Sequence, residues 1–274
     1  MWITRKTLTL LQQTIRRTMS SKTLVAFDFD HTLIDDNSDI YVQKLAPNGI
    51  PAEIKSQYSD KGWTNYMGAI FKYLHENGTK KSEILECMKE IHFTKGMPEL
   101  LRHLAENNCE SVIISDSNSV FIQCILEHSN LQDTVAAVFT NPAKFDDEGC
   151  LTIKFFHTQD WCDLSTINLC KGRILEDYID GREKDGVSFD RVYYVGDGSN
   201  DLCPCLTLRK TDFACPRVNF TLWKKLQKSL SDDNGQASEN LGIKARIVPW
   251  NDGWNLLEAI KANSHCEQKL ELVK

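Results

Sequence analysis

Two aspartates that follow an apolar run constrain this chain more than any other feature. Residues Leu24 to Phe27 are apolar, and Asp28 and Asp30 follow them one residue apart. The run predicts a buried strand over Leu24 to Phe29, and the two carboxylates would share a face if the strand continued through them. Crowded carboxylates repel one another and lose hydration, so a fold keeps them for metal binding or proton transfer.

A second acidic motif follows another apolar run. Residues Val192 to Val195 predict a strand, and Gly196 to Asp201 read Gly-Asp-Gly-Ser-Asn-Asp after it. Ser115 likewise ends the apolar run Val112 to Ile114. We expect these polar groups to meet at the carboxyl ends of parallel strands, where open α/β sheets place their binding crevice.

The order of elements predicts an α/β fold, a Rossmann-like parallel sheet with helices on both faces. Residues 52 to 92 are helix-rich, with Trp63, Tyr66 and Ile70 among the apolar residues at helical spacing. We therefore expect a small helical cap inserted after the first strand, over residues 46–93. The main domain would comprise residues 23–45 and 94–265, between a basic extension at 1–22 and a tail at 266–274.

With these motifs in view, the chain resembles the haloacid-dehalogenase-like phosphatases. Their four motifs are Asp-x-Asp-x-Thr, a Ser or Thr that ends an apolar strand, a Lys, and Gly-Asp-x-x-x-Asp. The matching positions are Asp28 to Thr32, Ser115, Lys171 and Gly196 to Asp201. The match is closer still to the phosphoethanolamine/phosphocholine phosphatase (PHOSPHO) family. It is carried by Asp28 to Thr32, Asp35 to Asp39, Gly62 to Tyr66, Lys95 to Pro98, Ile114 to Asn118 and Gly196 to Pro204.

The resemblance implies a covalent mechanism. Asp28 would be the nucleophile that forms an aspartyl-phosphate, and Asp30 would donate and then accept the proton. Ser115 and Lys171 would bind phosphate oxygens. A plainer interpretation of the acids is helix capping or turn formation, and a plainer one of Lys171 is a surface lysine, with Lys154 as another candidate.

The resemblance also implies a metal ion. Mg²⁺ prefers oxygen ligands, and it would be held by Asp28, the backbone carbonyl of Asp30, and Asp197. Asp201 would support this metal shell or the lysine.

Acidic residues near a phosphate site suggest a substrate that carries a cation elsewhere. Asp39 and Asp116 match positions that would meet an amine or choline headgroup in the PHOSPHO family. The alternative is that both are solvent-exposed cap or turn residues. Trp63 and Tyr66 could add cation–π contact or form the core of the cap.

The leading expectation is a Mg²⁺-dependent phosphomonoester hydrolase acting on phosphocholine or phosphoethanolamine. A pyridoxal 5′-phosphate phosphatase is the alternative, followed by a pyrophosphatase. From another class, the chain could be a non-catalytic phosphate-binding scaffold. Loss of Asp28, Asp30, Lys171 or Asp197 would have indicated a scaffold, and all four are present.

Charge restricts the partners and the compartment. Residues 1–22 contain five basic residues and no acid, so the formal net charge of -6 leaves -11 for the remainder. An acidic body argues against nucleic acid, and no apolar run approaches the roughly 20 residues of a membrane span. We expect a small phosphorylated metabolite as partner and a cytoplasmic location. Import into mitochondria through residues 1–22 is the alternative, with Met19 as a second possible start. The oligomeric state stays open.

Cysteine usage suggests a reducing compartment. The chain has 10 cysteines at irregular spacings without a Cys-x-x-Cys pair, and Cys203 and Cys205 are the nearest to one. We expect buried free thiols rather than disulfides or a metal site.

Overall fold

Parallel strands form the centre of the fold. The computed structural model describes residues 21–58, 62–230 and 241–271. Its strands are β1 (Ser21–Phe27), β2 (Cys109–Asn118), β3 (Ala137–Asn141), β4 (Ala143–Phe145), β5 (Leu151–Ile153), β6 (Ser188–Gly196), β7 (Phe213–Pro216) and β8 (Arg246–Ile247). Six of them form a parallel sheet in the order β3-β2-β1-β6-β7-β8, and β4 and β5 form an antiparallel hairpin. The predicted α/β fold class is confirmed.

Helices connect these strands. They are α1 (Ser38–Tyr41), α2 (Ala52–Lys55), α3 (Trp63–Glu76), α4 (Lys81–Lys89), α5 (Met97–Glu106), α6 (Ser119–His128), α7 (Lys171–Lys184), α8 (Leu202–Thr207), α9 (Thr221–Leu230) and α10 (Gly253–Glu271). None of these helices combines the length and the apolar character that crossing a membrane requires.

Strand β1 lies at the middle of the sheet and is buried on both faces. Val25 and Phe27 pack into one hydrophobic core, whereas Leu24 and Ala26 pack into the other. A strand buried on both sides reads as a continuous apolar run, which is why its sequence shows no alternation. β1 pairs with β2 on one side and β6 on the other, so Asp28 leaves the sheet between two neighbouring strand ends.

The chain between β1 and β2 is helical, as its periodicity predicted. Helix α3 buries Met67, Ile70 and Phe71 in the same hydrophobic cluster that contains Val25 of β1. On another side, Gly68 of α3 faces Ile153 of the hairpin. The inserted helices therefore share a core with the sheet, while the cap boundaries at 46 and 93 stay a prediction.

Some element bounds differ from the predictions. β1 ends at Phe27 because the chain enters a π-helical turn, Phe29–Leu33, in which His31 has a φ of 53°. Asp28 and Asp30 are thus not two positions of one strand. Helices α8 and α9 were not anticipated. Residues 1–20 of the predicted basic extension and residues 272–274 of the predicted tail lie outside the described residues.

A buried ion-pair network joins helix α7 to the start of β2. Both Glu110 carboxylate oxygens accept hydrogen bonds from Arg182, at 2.7 and 2.9 Å, and Tyr178 donates another. Lys22 of β1 lies 3.4 Å away. Burial by itself raises the pKa of Glu110, but the hydrogen bonds from Arg182 and Tyr178 outweigh it and hold that pKa below its ordinary value.

We expect Glu110→Gln to lower the free energy of unfolding by about 1–3 kcal/mol at pH 7, because Arg182 loses its charged acceptor. A lowered carboxyl pKa stabilises the fold above the unfolded-state pKa, and this stabilisation is lost as the pH falls through the folded-state pKa. The difference in the free energy of unfolding between Glu110→Gln and the wild type should therefore disappear below about pH 4. Urea unfolding across pH measures it, with exposed Glu106→Gln as the control. A gap that persists at low pH would contradict the electrostatic origin.

Candidate active site

Asp28 occupies the point where β1 leaves the sheet. Its backbone N–H donates to the Val195 carbonyl at 2.8 Å, which extends the pairing with β6 by one residue. The Phe29 N–H then donates to Asp28 Oδ1 at 2.7 Å. The carboxylate is thus fixed at its own strand end, and only 6% of the residue is exposed.

Lys171 joins Asp28 to the second acidic motif. Its Nζ lies 2.8 Å from Asp28 Oδ1 and 2.7 Å from Asp201 Oδ1, and the lysine is 1% exposed. Burial opposes the charge of Lys171, but the facing carboxylates of Asp201 and Asp28 raise its pKa and keep it an ammonium. The predicted surface alternative for this lysine is wrong.

Asp201 holds the second motif in shape. Its Oδ2 accepts the backbone N–H groups of Asp197 at 3.0 Å and Gly198 at 2.8 Å. Its Oδ1 accepts the Tyr194 hydroxyl at 2.7 Å in addition to Lys171. Both oxygens are engaged, so Asp201 is placed to position Lys171 and the loop rather than to bind an ion directly.

The donor set suits a hard cation. Carboxylate oxygens of Asp28 and Asp197 lie within 4.8 Å of each other and of Asp201, whose own oxygens are already engaged. Burial raises the pKa of Asp197 to about 7 and that of Asp28 well above its ordinary value, and the neighbouring Asp201 carboxylate adds to both shifts. An oxygen-only group with excess negative charge fits Mg²⁺. Thr32 donates to Asp197 Oδ1 at 3.3 Å and orients it.

Asp30 faces the same space from the π-helical turn. Its Oδ1 accepts the Ser38 N–H at 2.9 Å, and burial raises its pKa to about 6. The Ser38 hydroxyl contacts the Ser117 hydroxyl at 2.9 Å, and the Ser117 N–H donates to Ser115 Oγ at 3.2 Å. These contacts tie the end of β2 to α1.

Asp116 has a different environment from the one predicted for a headgroup ligand. Its Oδ1 accepts hydrogen bonds from Thr166 at 3.1 Å and Asn168 at 2.9 Å, and its Oδ2 accepts one from Asn200 at 2.7 Å. The carboxylate therefore links β2 to two loops, the segment before α7 and the loop after β6. It still lines the cleft.

Asp39 is buried, so the alternative that it is a solvent-exposed cap or turn residue is wrong. It is 2% exposed, and its Oδ2 accepts the Trp63 indole N–H at 2.8 Å. Burial and the nearby Asp30 carboxylate raise the pKa of Asp39 to about 8. Trp63 lines the cleft beside Asp39, whereas Tyr66 is 7% exposed and belongs to the hydrophobic core.

These groups enclose a cleft of about 190 Å³. It is lined by Asp28, Asp30, His31, Asn37, Asp39, Trp63, Ser115, Asp116, Ser117, Asp197, Gly198 and Asn200. Acidic and hydroxyl groups from three strand ends and the inserted helices thus face one small volume. Lys171 lies behind Asp28 as a buried cation of this site.

Sequence reasoning missed three supporting residues. Tyr194 reads as an ordinary apolar position of β6, yet its hydroxyl binds Asp201. Asn141 ends β3 and donates to the carbonyls of Asp116 and Ser117. Arg217 follows β7 and binds the His31 carbonyl and Asp35. Asn141 and Arg217 share one usable signal, because each is a polar residue at the carboxyl end of a strand.

Asp201→Asn should weaken the fold and the site together. It replaces one acceptor oxygen by an amide N–H₂ and leaves buried Lys171 with one carboxylate, which should cost about 3–5 kcal/mol in the free energy of unfolding. Urea unfolding measures this loss. The control is Asp177→Asn, which removes a solvent-exposed pair with Arg173 and should leave the urea midpoint unchanged. Equal midpoints for the two variants would contradict the role of Asp201.

The chain has clear relatives. The model of the family described as "Putative Phosphatase" matches residues 23–263. Pyridoxal phosphate phosphatase PHOSPHO2 of Mus musculus is 41% identical over 244 residues, which are 88% of this chain and 98% of that protein. The phosphoethanolamine/phosphocholine phosphatase of Homo sapiens is 33% identical over 230 residues, which are 83% of this chain and 84% of that protein.

A solved structure shares the fold. It is a protein of unknown function from Bordetella pertussis Tohama I, with a TM-score of 0.51 and 16% identity. The match covers 76% of this chain and 96% of that one. Sequence identity over nearly the whole length of the curated relatives decides the family. The chain belongs to the PHOSPHO family of haloacid-dehalogenase-like phosphatases and is a phosphatase.

Proposed function

We propose that this phosphatase hydrolyses phosphomonoesters through a phosphoryl group carried on Asp28, with Mg²⁺ as cofactor. The observation that supports it best is the environment of the Asp28 carboxylate. One oxygen is fixed by the Lys171 ammonium and the Phe29 N–H, and the residue lines the acidic cleft. A carboxylate held in one orientation is prepared for attack on phosphorus, because orientation is a large part of the barrier for phosphoryl transfer.

The proposed steps use two carboxyl groups. Asp28 attacks phosphorus, the bond from phosphorus to the alcohol oxygen breaks, and Asp30 gives its proton to the leaving oxygen. Asp30 then takes a proton from a water molecule, which attacks the phosphorus on Asp28 and releases inorganic phosphate. Ser115 and Lys171 would hold the phosphate oxygens during both transfers.

Mg²⁺ would offset the repulsion between the acidic cleft and the phosphate dianion. We assign it to the carboxylates of Asp28 and Asp197 and the backbone carbonyl of Asp30. The support is the oxygen-only donor set and its excess negative charge. Asp201 would act through Lys171 and the loop that carries Asp197, since hydrogen bonds engage both of its oxygens.

Asp28→Asn and Asp28→Ala should each reduce turnover of p-nitrophenyl phosphate by more than about 100-fold, because the covalent step is lost. Acid-quenched wild-type protein should carry phosphate derived from the substrate, and the variants should carry none. Circular dichroism checks that they fold, and Asp177→Asn is the control with normal activity. Activity above about one hundredth of wild type would remove Asp28 from the nucleophile role.

For the substrate we propose pyridoxal 5′-phosphate. The relative named as a pyridoxal phosphate phosphatase is 41% identical, against 33% for the one named for phosphoethanolamine and phosphocholine. The cleft offers Trp63 as an aromatic wall, with Tyr58 in edge contact at 5.4 Å. A planar heterocycle suits such a wall. Hydrogen bonds to Asp116 from three side chains weaken the case for it as a ligand of a cationic headgroup.

Phosphocholine or phosphoethanolamine is the second candidate. One observation favours it: the carboxyl groups of Asp39 and Asp116 line the same cleft as Asp28. Asp39 Oδ1 is buried and receives no hydrogen bond within the described part of the chain. An entering cation would give that oxygen a partner and favour the ionised form of a carboxyl group whose pKa burial raises to about 8.

Asp39→Asn distinguishes the two candidates. With pyridoxal 5′-phosphate as substrate, wild-type kcat/KM should exceed that for phosphocholine by more than about tenfold. Asp39→Asn should lower kcat/KM for whichever substrate the wild type prefers by several-fold to about 100-fold. It should leave kcat/KM for p-nitrophenyl phosphate unchanged. A selective loss on phosphocholine, from a wild type that prefers it, would overturn the pyridoxal phosphate proposal. Equal losses on all substrates would make Asp39 a structural residue.

A further inference from the structure

Three cysteines converge behind the active site, although they are far apart in the sequence. Cys162 lies in the segment between β5 and α7, Cys170 immediately precedes α7, and Cys203 lies in α8. The sulfur of Cys203 is 3.5 Å from that of Cys162 and 3.8 Å from that of Cys170. All three sulfurs lie within 4.8 Å of one another. The three thiols are free, as predicted, but they lie together, which their spacing in the sequence did not indicate.

These distances match the edges of a tetrahedral thiolate site. A zinc–sulfur bond of about 2.3 Å sets neighbouring sulfurs roughly 3.8 Å apart. A disulfide would require about 2.05 Å. A disulfide joins only two sulfurs, so it would not explain why a third one lies beside them.

The surrounding backbone leaves room for the central sulfur. A Cβ built on Gly172 would lie 2.6 Å from the Cys203 sulfur, so any larger residue there would displace that sulfur or the helix. Glycine within a helix costs roughly 0.5–1 kcal/mol relative to alanine. The close approach of Cys203 to α7 accounts for its presence.

Among the described residues, no fourth His, Cys, Asp or Glu side chain joins the three sulfurs. His157 does not supply it through Nε2, because that nitrogen accepts the Cys170 N–H at 2.9 Å. The Ser165 hydroxyl lies 3.4 Å from the Cys162 sulfur, and Cys162 is partly exposed whereas Cys170 and Cys203 are buried. A hydroxyl or a water can complete the coordination, and a metal ion can enter from the side of Cys162.

We propose that Cys162, Cys170 and Cys203 form a second, structural metal site that binds a thiophilic d¹⁰ cation, Zn²⁺, through three thiolates. Thiolate ligands select this class of ion over Mg²⁺, which requires oxygen. The site would clamp the elements that carry the buried ion pair, because Cys170 adjoins Lys171 and Cys203 lies two residues after Asp201. It is separate from the carboxylate cleft and does not depend on the proposed substrate or mechanism.

Cobalt substitution tests the site directly. The full chain is prepared with a phosphine reductant, freed of metal by a chelator, and titrated anaerobically with Co²⁺ in saturating Mg²⁺. We expect one Co²⁺ per chain with strong near-ultraviolet thiolate-to-cobalt charge-transfer absorption, which Zn²⁺ bleaches. Zn²⁺ should also raise the Tm and protect the partly exposed Cys162 thiol from alkylation. Cobalt held by the carboxylates would give only weak visible bands.

The variants are Cys162→Ser and the matched control Cys150→Ser, which removes another partly exposed thiol, in the β4–β5 segment. Cys162→Ser should lower the charge-transfer absorption at saturating Co²⁺ by about one third or more and weaken Zn²⁺ binding by more than about tenfold, and Cys150→Ser should change neither. Absence of the band in the wild type, or an undiminished band and unchanged Zn²⁺ affinity in Cys162→Ser, would overturn the proposal.

Discussion

The ammonium of Lys171 between the carboxylates of Asp28 and Asp201 is the contact on which the site depends. A buried charge is costly unless it is paired, and removing one partner leaves the other uncompensated. The fold must therefore bring the start of α7, the end of β1 and the loop after β6 to one point. The Glu110–Arg182 pair fixes the far end of α7, and Tyr194 and two backbone N–H groups fix Asp201.

The same ion pair explains why the site is suited to phosphate and a cation together. Lys171 balances part of the charge of Asp28 and Asp201, while Asp30 and Asp197 add more negative charge in the same region. The pKa of Asp30 is raised to about 6 and that of Asp197 to about 7, mainly by burial and to a smaller extent by the repulsion of neighbouring carboxylates. A bound cation would relieve it. The cleft is acidic where a phosphate must bind, so positive charge has to arrive with the substrate or before it.

The sequence anticipated those parts of the site that lie near the carboxyl ends of strands. Asp28 and Ser115 come directly after an apolar run and Asp197 follows one after Gly196, and parallel strands in a sheet bring such positions together. Contacts between side chains of distant loops could not be predicted. Asp116 looked like a headgroup ligand, but Asn168 and Asn200 bind it from 52 and 84 residues away. Their positions depend on loop paths that no periodic pattern encodes.

The cluster of Cys162, Cys170 and Cys203 is another set of contacts that the sequence could not predict. Spacing along the chain argued against a metal site, because Cys162 and Cys203 are 41 residues apart. The fold brings them together for the reason that it brings Lys171 to Asp201: α7 and α8 pack against each other, with Gly172 of α7 against the Cys203 sulfur of α8. The three thiols and the ion pair thus lie at one helix contact. Whatever holds the sulfurs together also fixes the distance between Lys171 and Asp201, and through Lys171 the orientation of Asp28.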